Sequence, residues 1–203
     1  MSIKAPYLPY DKLRVLADQF LQKFHPSRSV PTPIEDIVEF QCEMDIVPVP
    51  GLLTNHEIDS SLSHDQATIY VDSFIYSRRP KRYRFSLAHE LAHKLLHPDV
   101  FGQLRYTTIA EWKQAVAAID PDQYGFIEFQ AYAFAGLILV PPGPLAKHYK
   151  RLESQAAEAG IQFDSLTPKE KNIIGDNLSE IFGASRDVVV RRLTKDGFWS
   201  AAK

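Results

Sequence analysis

The chain has 203 residues, 45% apolar and 24% charged, with a formal net charge of −2 and a single cysteine, Cys42. That length can bury one proper core plus a small appendage, and the composition is that of an ordinary globular protein rather than a disordered or membrane-embedded one. Near-neutral charge gives no global reason for a polyanionic or membrane-surface partner, and one cysteine excludes an internal disulfide and an all-cysteine zinc site.

The N-terminal stretch MSIKAPYLPYDK lacks the basic-then-apolar layout of a secretory signal, so a cytoplasmic location is expected. Leu13, Leu16, Ala17, Phe20, Leu21 and Phe24 recur at helical spacing and predict an amphipathic first helix over about 10–25. In TPIE, Thr32 is the expected N-cap, Pro33 the first helical residue and Glu35 the partner in a capping box, for a helix running to about Gln41. MDIVPVP and GLLTNHEI then read as short strands and ATIYVD (67–72) as another, with DSSLSHDQ as loop between the last two.

Helix signals resume at about Pro80 and run to His97, where Pro98 stops them. Thr108 and Glu111 open a helix over about 108–119, DPDQYG breaks it, and the apolar FIEFQAYAFAGLILV predicts a helix over 126–140. That run is too short to span a bilayer, so no membrane partner is expected. PPGP (141–144) is the best candidate boundary. It divides residues 1–143 from a helical segment, 144–203, with helices expected at about 145–158, 168–182 and 186–195.

Within RFSLAHELAHKLLH, His89, Glu90 and His93 form an HExxH motif. Residues four apart share one helix face, so both imidazoles can bind one ion, while Glu90 is set to reach a water on that ion. Catalytic zinc takes three protein ligands, keeps one position open for water and lowers its pKa to about 7. With 7 His and 11 Glu in 203 residues, chance supplies the pattern about 0.01 times, which favours a metal site over a plain amphipathic helix. His97 lies eight residues beyond His89, about 12 Å along the helix axis, too far to be the third ligand. Asp99 would need the helix to break at Pro98. Glu128 is the better candidate: a carboxylate inside an apolar helix needs a cation, and Ala88, Ala92, Ala131 and Ala135 would let two helices approach closely. The alternative is that Glu128 pairs with Arg82 or Arg84.

Two blocks in this order resemble the ImmA/IrrE metallopeptidases. RFSLAHELAHKLLH is similar to that family's Arg-Phe-(Thr/Ser)-x-Ala-His-Glu-Leu-Gly-His signature, and EFQAYAFAGLILVP to its second block. The resemblance implies an α+β, zincin-like peptidase domain with His89, His93 and Glu128 holding Zn2+ and Glu90 as the catalytic base. Ala92, Tyr132 and Gly136 depart from the pattern, where it has Gly, Asn and Ala. The resemblance also implies cleavage of an Xre-type helix-turn-helix repressor, relieving repression of stress-response, mobile-element or toxin–antitoxin genes. Larger members add a helix-turn-helix segment and a sensory domain, and a separate sensory domain is not expected in this chain.

Residues 167–199 read as helix, three-residue turn, helix, with Thr167–Glu170 as a capping box, Gly183 past the first helix and Ser185 capping the second. Residues 167–203 hold seven Lys/Arg and five Asp/Glu, a surplus of two, so packing against the peptidase domain or a protein partner is expected over DNA contact. The expected chemistry is peptide-bond hydrolysis, with Tyr70, His97 and Tyr132 as candidates for support of the site or of the oxyanion, and ATIYVD as the sheet edge for an extended substrate. The competing expectations are a metal-containing protein that sequesters a repressor or toxin without cutting it, and a DNA-binding regulator acting through the tail.

Overall fold

The structure, a computed structural model, describes residues 3–160, 163 and 166–199. It is α+β, with helices gathered around a three-stranded sheet. Helix α1 (Tyr10–Phe24) buries Leu13, Ala17, Phe20 and Leu21, the stripe its spacing predicts. Strands β1 (Asp45–Val49), β2 (Ser60–Leu62) and β3 (Thr68–Asp72) lie in the order β1-β3-β2, β1 parallel and β2 antiparallel to β3. ATIYVD is therefore the central strand with both sides paired, and the edge beside the candidate site is β2.

Four local expectations are corrected. The Thr32–Glu35 capping box does not form: Thr32 donates its hydroxyl to the buried Ile138 carbonyl at 2.9 Å, and Glu35 accepts from Tyr83 at 2.7 Å. The helix begins instead at Ile34, as α2 (Ile34–Asp36), and widens into a π-helical turn over Ile37–Gln41. GLLTNHEI is not a strand but carries α3 (Leu52–His56), bracketed by left-handed Gly51 and Glu57, with the Leu53 amide bonded to Asp72. Its polar Thr54 and Asn55 are both exposed, so there is no alternating buried face. The strand is in the expected loop, at β2, where Ser61 and Leu62 are buried. DPDQYG separates two helices as expected but also opens the second, which starts at Pro121 and not at 126, because Asp120 accepts from the Asp122 and Gln123 amides and Pro121 takes the first helical position.

Helix α4 (Ser73–Arg78) leads into α5 (Pro80–Leu96), followed by α6 (Pro98–Gln103), α7 (Ile109–Ala117) and α8 (Pro121–Leu139). Ala88 and Ala92 on α5 and Ala131 and Ala135 on α8 are all fully buried, and these helices form the most extensive helix–helix contact. Although its sequence is apolar, α8 is not buried on every side: Phe126 and Phe129 are 47% and 46% exposed. No single helix among the described residues is long and apolar enough to cross a membrane.

The chain continues through α9 (Pro142–Glu158), α10 (Pro168–Phe182) and α11 (Arg186–Lys195). The last two are joined over Gly183 in the left-handed conformation and Ser185 as N-cap, and Thr167 and Glu170 form their capping box. The pair is tied to the helices before it. Arg84 donates to the Gly183 carbonyl at 2.9 Å, Lys81 to Ser179 at 2.8 Å, and the buried Arg192 to the Val140 carbonyl at 3.2 Å.

Candidate metal centre

Helix α5 presents His89 and His93 at successive turns, with His97 at its C-cap, and α8 crosses it at Glu128. The Nε2 atoms of His89 and His93 are 3.0 Å apart, and the Glu128 carboxylate stands 3.3 Å from the first and 3.4 Å from the second. These three side chains form a group able to hold a metal ion, with one ligand atom from each within 4.8 Å of the others. The arginine alternative for Glu128 is not what forms: Arg82 pairs with Asp59, and Arg84 binds the Thr32 and Gly183 carbonyls.

The charges respond to this packing. Burial pushes the Glu128 carboxyl upward, but the adjoining His89 and His93 imidazoles outweigh it and hold the group below the ordinary carboxylate range. Burial pushes His93 down to about 4, against the pull of Glu128. His89 is also lowered by burial, yet its bond to Glu128 and the charges of Glu90 and Glu128 leave it raised.

His93 is held from behind. Its Nδ1 faces His97 Nδ1 at 3.3 Å, His97 Nε2 lies 2.9 Å from Gln130 Oε1, and Gln130 donates its amide to the Pro6 carbonyl at 2.8 Å. The last bond fixes which end of the Gln130 amide is oxygen, so His97 must donate from Nε2. A neutral His97 then has a lone pair at Nδ1, which places the His93 proton on Nδ1 and leaves its Nε2 bare, the state a metal ligand requires. His89 lacks such support: its Nδ1 is buried with no hydrogen-bond partner among the described residues.

Glu90 is bonded to the sheet. It is buried, accepts from Ser60 on β2 at 2.7 Å, and is raised by burial, with His89, Ser60 and the Leu62 amide pulling the other way. Two further participants escaped the sequence reading. Ser60 sits in what reads as loop chemistry; Tyr124, one turn before Glu128, hydrogen-bonds to that carboxylate and is raised by burial and by its charge. The i, i+4 spacing of Tyr124 and Glu128 was the available signal. Tyr70, by contrast, lines a separate cavity of about 450 Å³ with His64, Tyr106 and Trp112. Tyr132 packs on Phe85, with ring centroids 4.6 Å apart, and lies beneath Arg191.

Residues 61–194, which include His89, Glu90, His93 and Glu128, match the model of the IrrE N-terminal-like domain, Peptidase_M78. No curated protein matches the sequence. Among solved structures, the chain is similar to a Mycobacterium tuberculosis transcriptional regulator at 16% identity and a TM-score of 0.54. The alignment covers 90% of this chain and 46% of the other, so the chain spans about half the length of that relative. At this identity the likeness concerns the fold alone.

Proposed function

This chain belongs to the IrrE N-terminal-like peptidase family, and from that premise we propose that it is a zinc-dependent endopeptidase acting on an Xre-type helix-turn-helix repressor in the cytoplasm. The observation that carries the reading is the convergence of His89 Nε2, His93 Nε2 and a Glu128 oxygen beside a buried, hydrogen-bonded Glu90. The donor set fits the ion: two imidazoles and one carboxylate leave a coordination position open, whereas structural zinc sites are closed by a fourth protein ligand. Bound there, zinc would supply Lewis acidity, polarising a scissile carbonyl and acidifying a water.

The remaining work falls to the protein. Ser60 and the Leu62 amide orient the Glu90 carboxylate, which takes the proton of the attacking water and then delivers it to the leaving amine. Burial raises Glu90 toward the range in which it can both accept and return that proton. Tyr124 and the two imidazoles fix the Glu128 carboxylate, and His97 fixes the ring of His93. The unpaired side of β2, next to Ser60, is the edge along which an extended substrate would add. In this reading residues 1–143 form the peptidase domain and 144–203 a helical unit docked on it.

The test is to incubate metal-loaded protein with the helix-turn-helix repressor encoded beside its gene and follow intact mass. One cut bond, abolished by Glu90→Gln with metal retained, supports hydrolysis. A stoichiometric effect without fragments, unchanged by Glu90→Gln, means sequestration instead.

A further inference from the structure

Beside the metal-binding cluster lies a cavity of about 470 Å³ that none of these steps uses. It runs between α8 and α11, with Phe129, Tyr132 and Ala133 contributed by the first and Val188 and Val190 by the second. Glu128 belongs to the same lining, so the cavity and the candidate metal centre share a side chain. Its volume falls within the roughly 300–1,000 Å³ of ordinary ligand pockets.

The charges of the cavity that lack a counter-ion are of one sign. Arg191 places its guanidinium 5.2 Å from the Tyr132 ring centroid, and Lys195 its ammonium 5.6 Å from that of Tyr10. Both residues line the cavity, both are exposed, and neither has an ion-pair partner among the described residues. The third cation, Arg192, is committed to Asp196 and to the Val140 carbonyl. The one carboxylate in the lining, Glu128, is bonded to His89 and His93. What remains is an apolar hollow with two uncompensated positive charges, complementary to a group that joins an apolar body to a carboxylate.

We propose that this cavity is a substrate-selecting subsite, which receives an aromatic or long aliphatic side chain of the polypeptide while Arg191 and Lys195 pair with an acidic residue adjacent to it. The proposal rests on the endopeptidase reading, since the shared Glu128 is what puts the occupant next to a scissile bond. Duplex DNA is the less suitable occupant. Both cations lean on rings that line an apolar concavity, and a phosphate backbone has nothing apolar to fill it.

The test is cleavage of a random peptide library by the metal-loaded protein, with products read by mass spectrometry. Peptides carrying Phe, Tyr, Leu or Met next to Asp or Glu near the cut bond should be preferred. Removing each cation should cost roughly fivefold in that preference, and Arg191→Glu with Lys195→Glu should turn it toward Lys and Arg. Both positions are exposed, so the fold should survive. Ala133→Phe, which fills the hollow, should remove the preference for a large side chain and keep that for the acid. Cleavage with no such preference, or a preference unmoved by charge reversal, overturns the subsite and leaves the peptidase reading standing.

Where nothing is cut, it is the endopeptidase reading that fails, and retention of the same library on immobilised protein decides the subsite. Selective retention of apolar–acidic peptides by Glu90→Gln, lost when the two charge reversals are added, supports it; equal retention overturns it. Salt-sensitive DNA binding that the charge reversals abolish, with peptide selection unchanged, assigns the cations to phosphate and also overturns it.

Discussion

His97 presents its Nδ1 to the Nδ1 of His93 across 3.3 Å, one turn further along, at the C-cap of α5. Spacing would keep it from an ion shared by His89 and His93, and the same spacing lets it orient the His93 ring. The series ends outside the helix pair, since Gln130 donates to the carbonyl of Pro6 in the N-terminal segment. Removing a partner of this kind typically weakens metal binding about 10–100-fold. His97→Phe and Gln130→Leu should both fall in that range, measured by competition with a chromogenic chelator. Equal affinity in all three proteins would remove the positioning role.

The Ser60 hydroxyl lowers the Glu90 carboxyl against the upward push of burial. In Ser60→Ala that opposition is lost, so the Glu90 pKa rises further. A base works only when ionised, so the acidic limb of the pH–rate profile should move to higher pH. The rate should drop roughly tenfold on that limb and less above it. A uniform loss at every pH would point to Ser60 touching the substrate instead.

The parts that were legible in the sequence are those set by neighbours along the chain. HExxH places two imidazoles on one helix face whatever the tertiary structure, and the Thr108–Glu111 and Thr167–Glu170 capping boxes close locally. Thr32 and Glu35 have the same residue types at the same spacing, but Ile138 and Tyr83 outcompete them, and those partners are 106 and 48 residues away. Glu128 was readable because a carboxylate in an apolar helix demands a cation. Ser60, Tyr124 and Gln130 were not, since a serine in a polar stretch and a tyrosine or glutamine on an amphipathic surface have many cheaper explanations.

Asp72 is the junction of the sheet with two short helices. One carboxylate oxygen caps α4 through the Phe74 and Ile75 amides, and the other holds the Leu53 amide of α3 at 2.9 Å. Burial raises this carboxyl, but its backbone donors outweigh the effect and hold it below the ordinary range. Its folded pKa is thus depressed. The stabilisation is present above the unfolded value of about 3.9 and is lost as pH falls through the folded one. Asp72→Ala should cost about 2 kcal/mol at neutral pH, the upper end for a lost N-cap. The gap to the parent, read from urea titrations, should narrow in acid, and a pH-independent gap would mean that cavity formation dominates.

Arg192 and Asp196 form an i, i+4 pair at 2.6 Å, with side chains only 4% and 6% exposed. Arg192 also reaches the Tyr10 hydroxyl and the Val140 carbonyl, which ties α11 to α1 and to the end of α8. Asp196→Ala leaves a buried guanidinium without its counter-charge and should destabilise the fold by about 3–5 kcal/mol, whereas Arg192→Met with Asp196→Leu should be closer to neutral. The buried Trp199, which donates to Tyr149, reports on the tail, and a Trp112→Phe background makes it the sole tryptophan, excited selectively near the red edge of its absorption. If 144–203 is docked on the peptidase domain as one cooperative structure, Trp199 fluorescence and far-UV circular dichroism should shift together to lower urea. Fluorescence moving alone would make the tail a unit that unfolds by itself, and the packing of α11 would then contribute little to the groove it shares with Glu128.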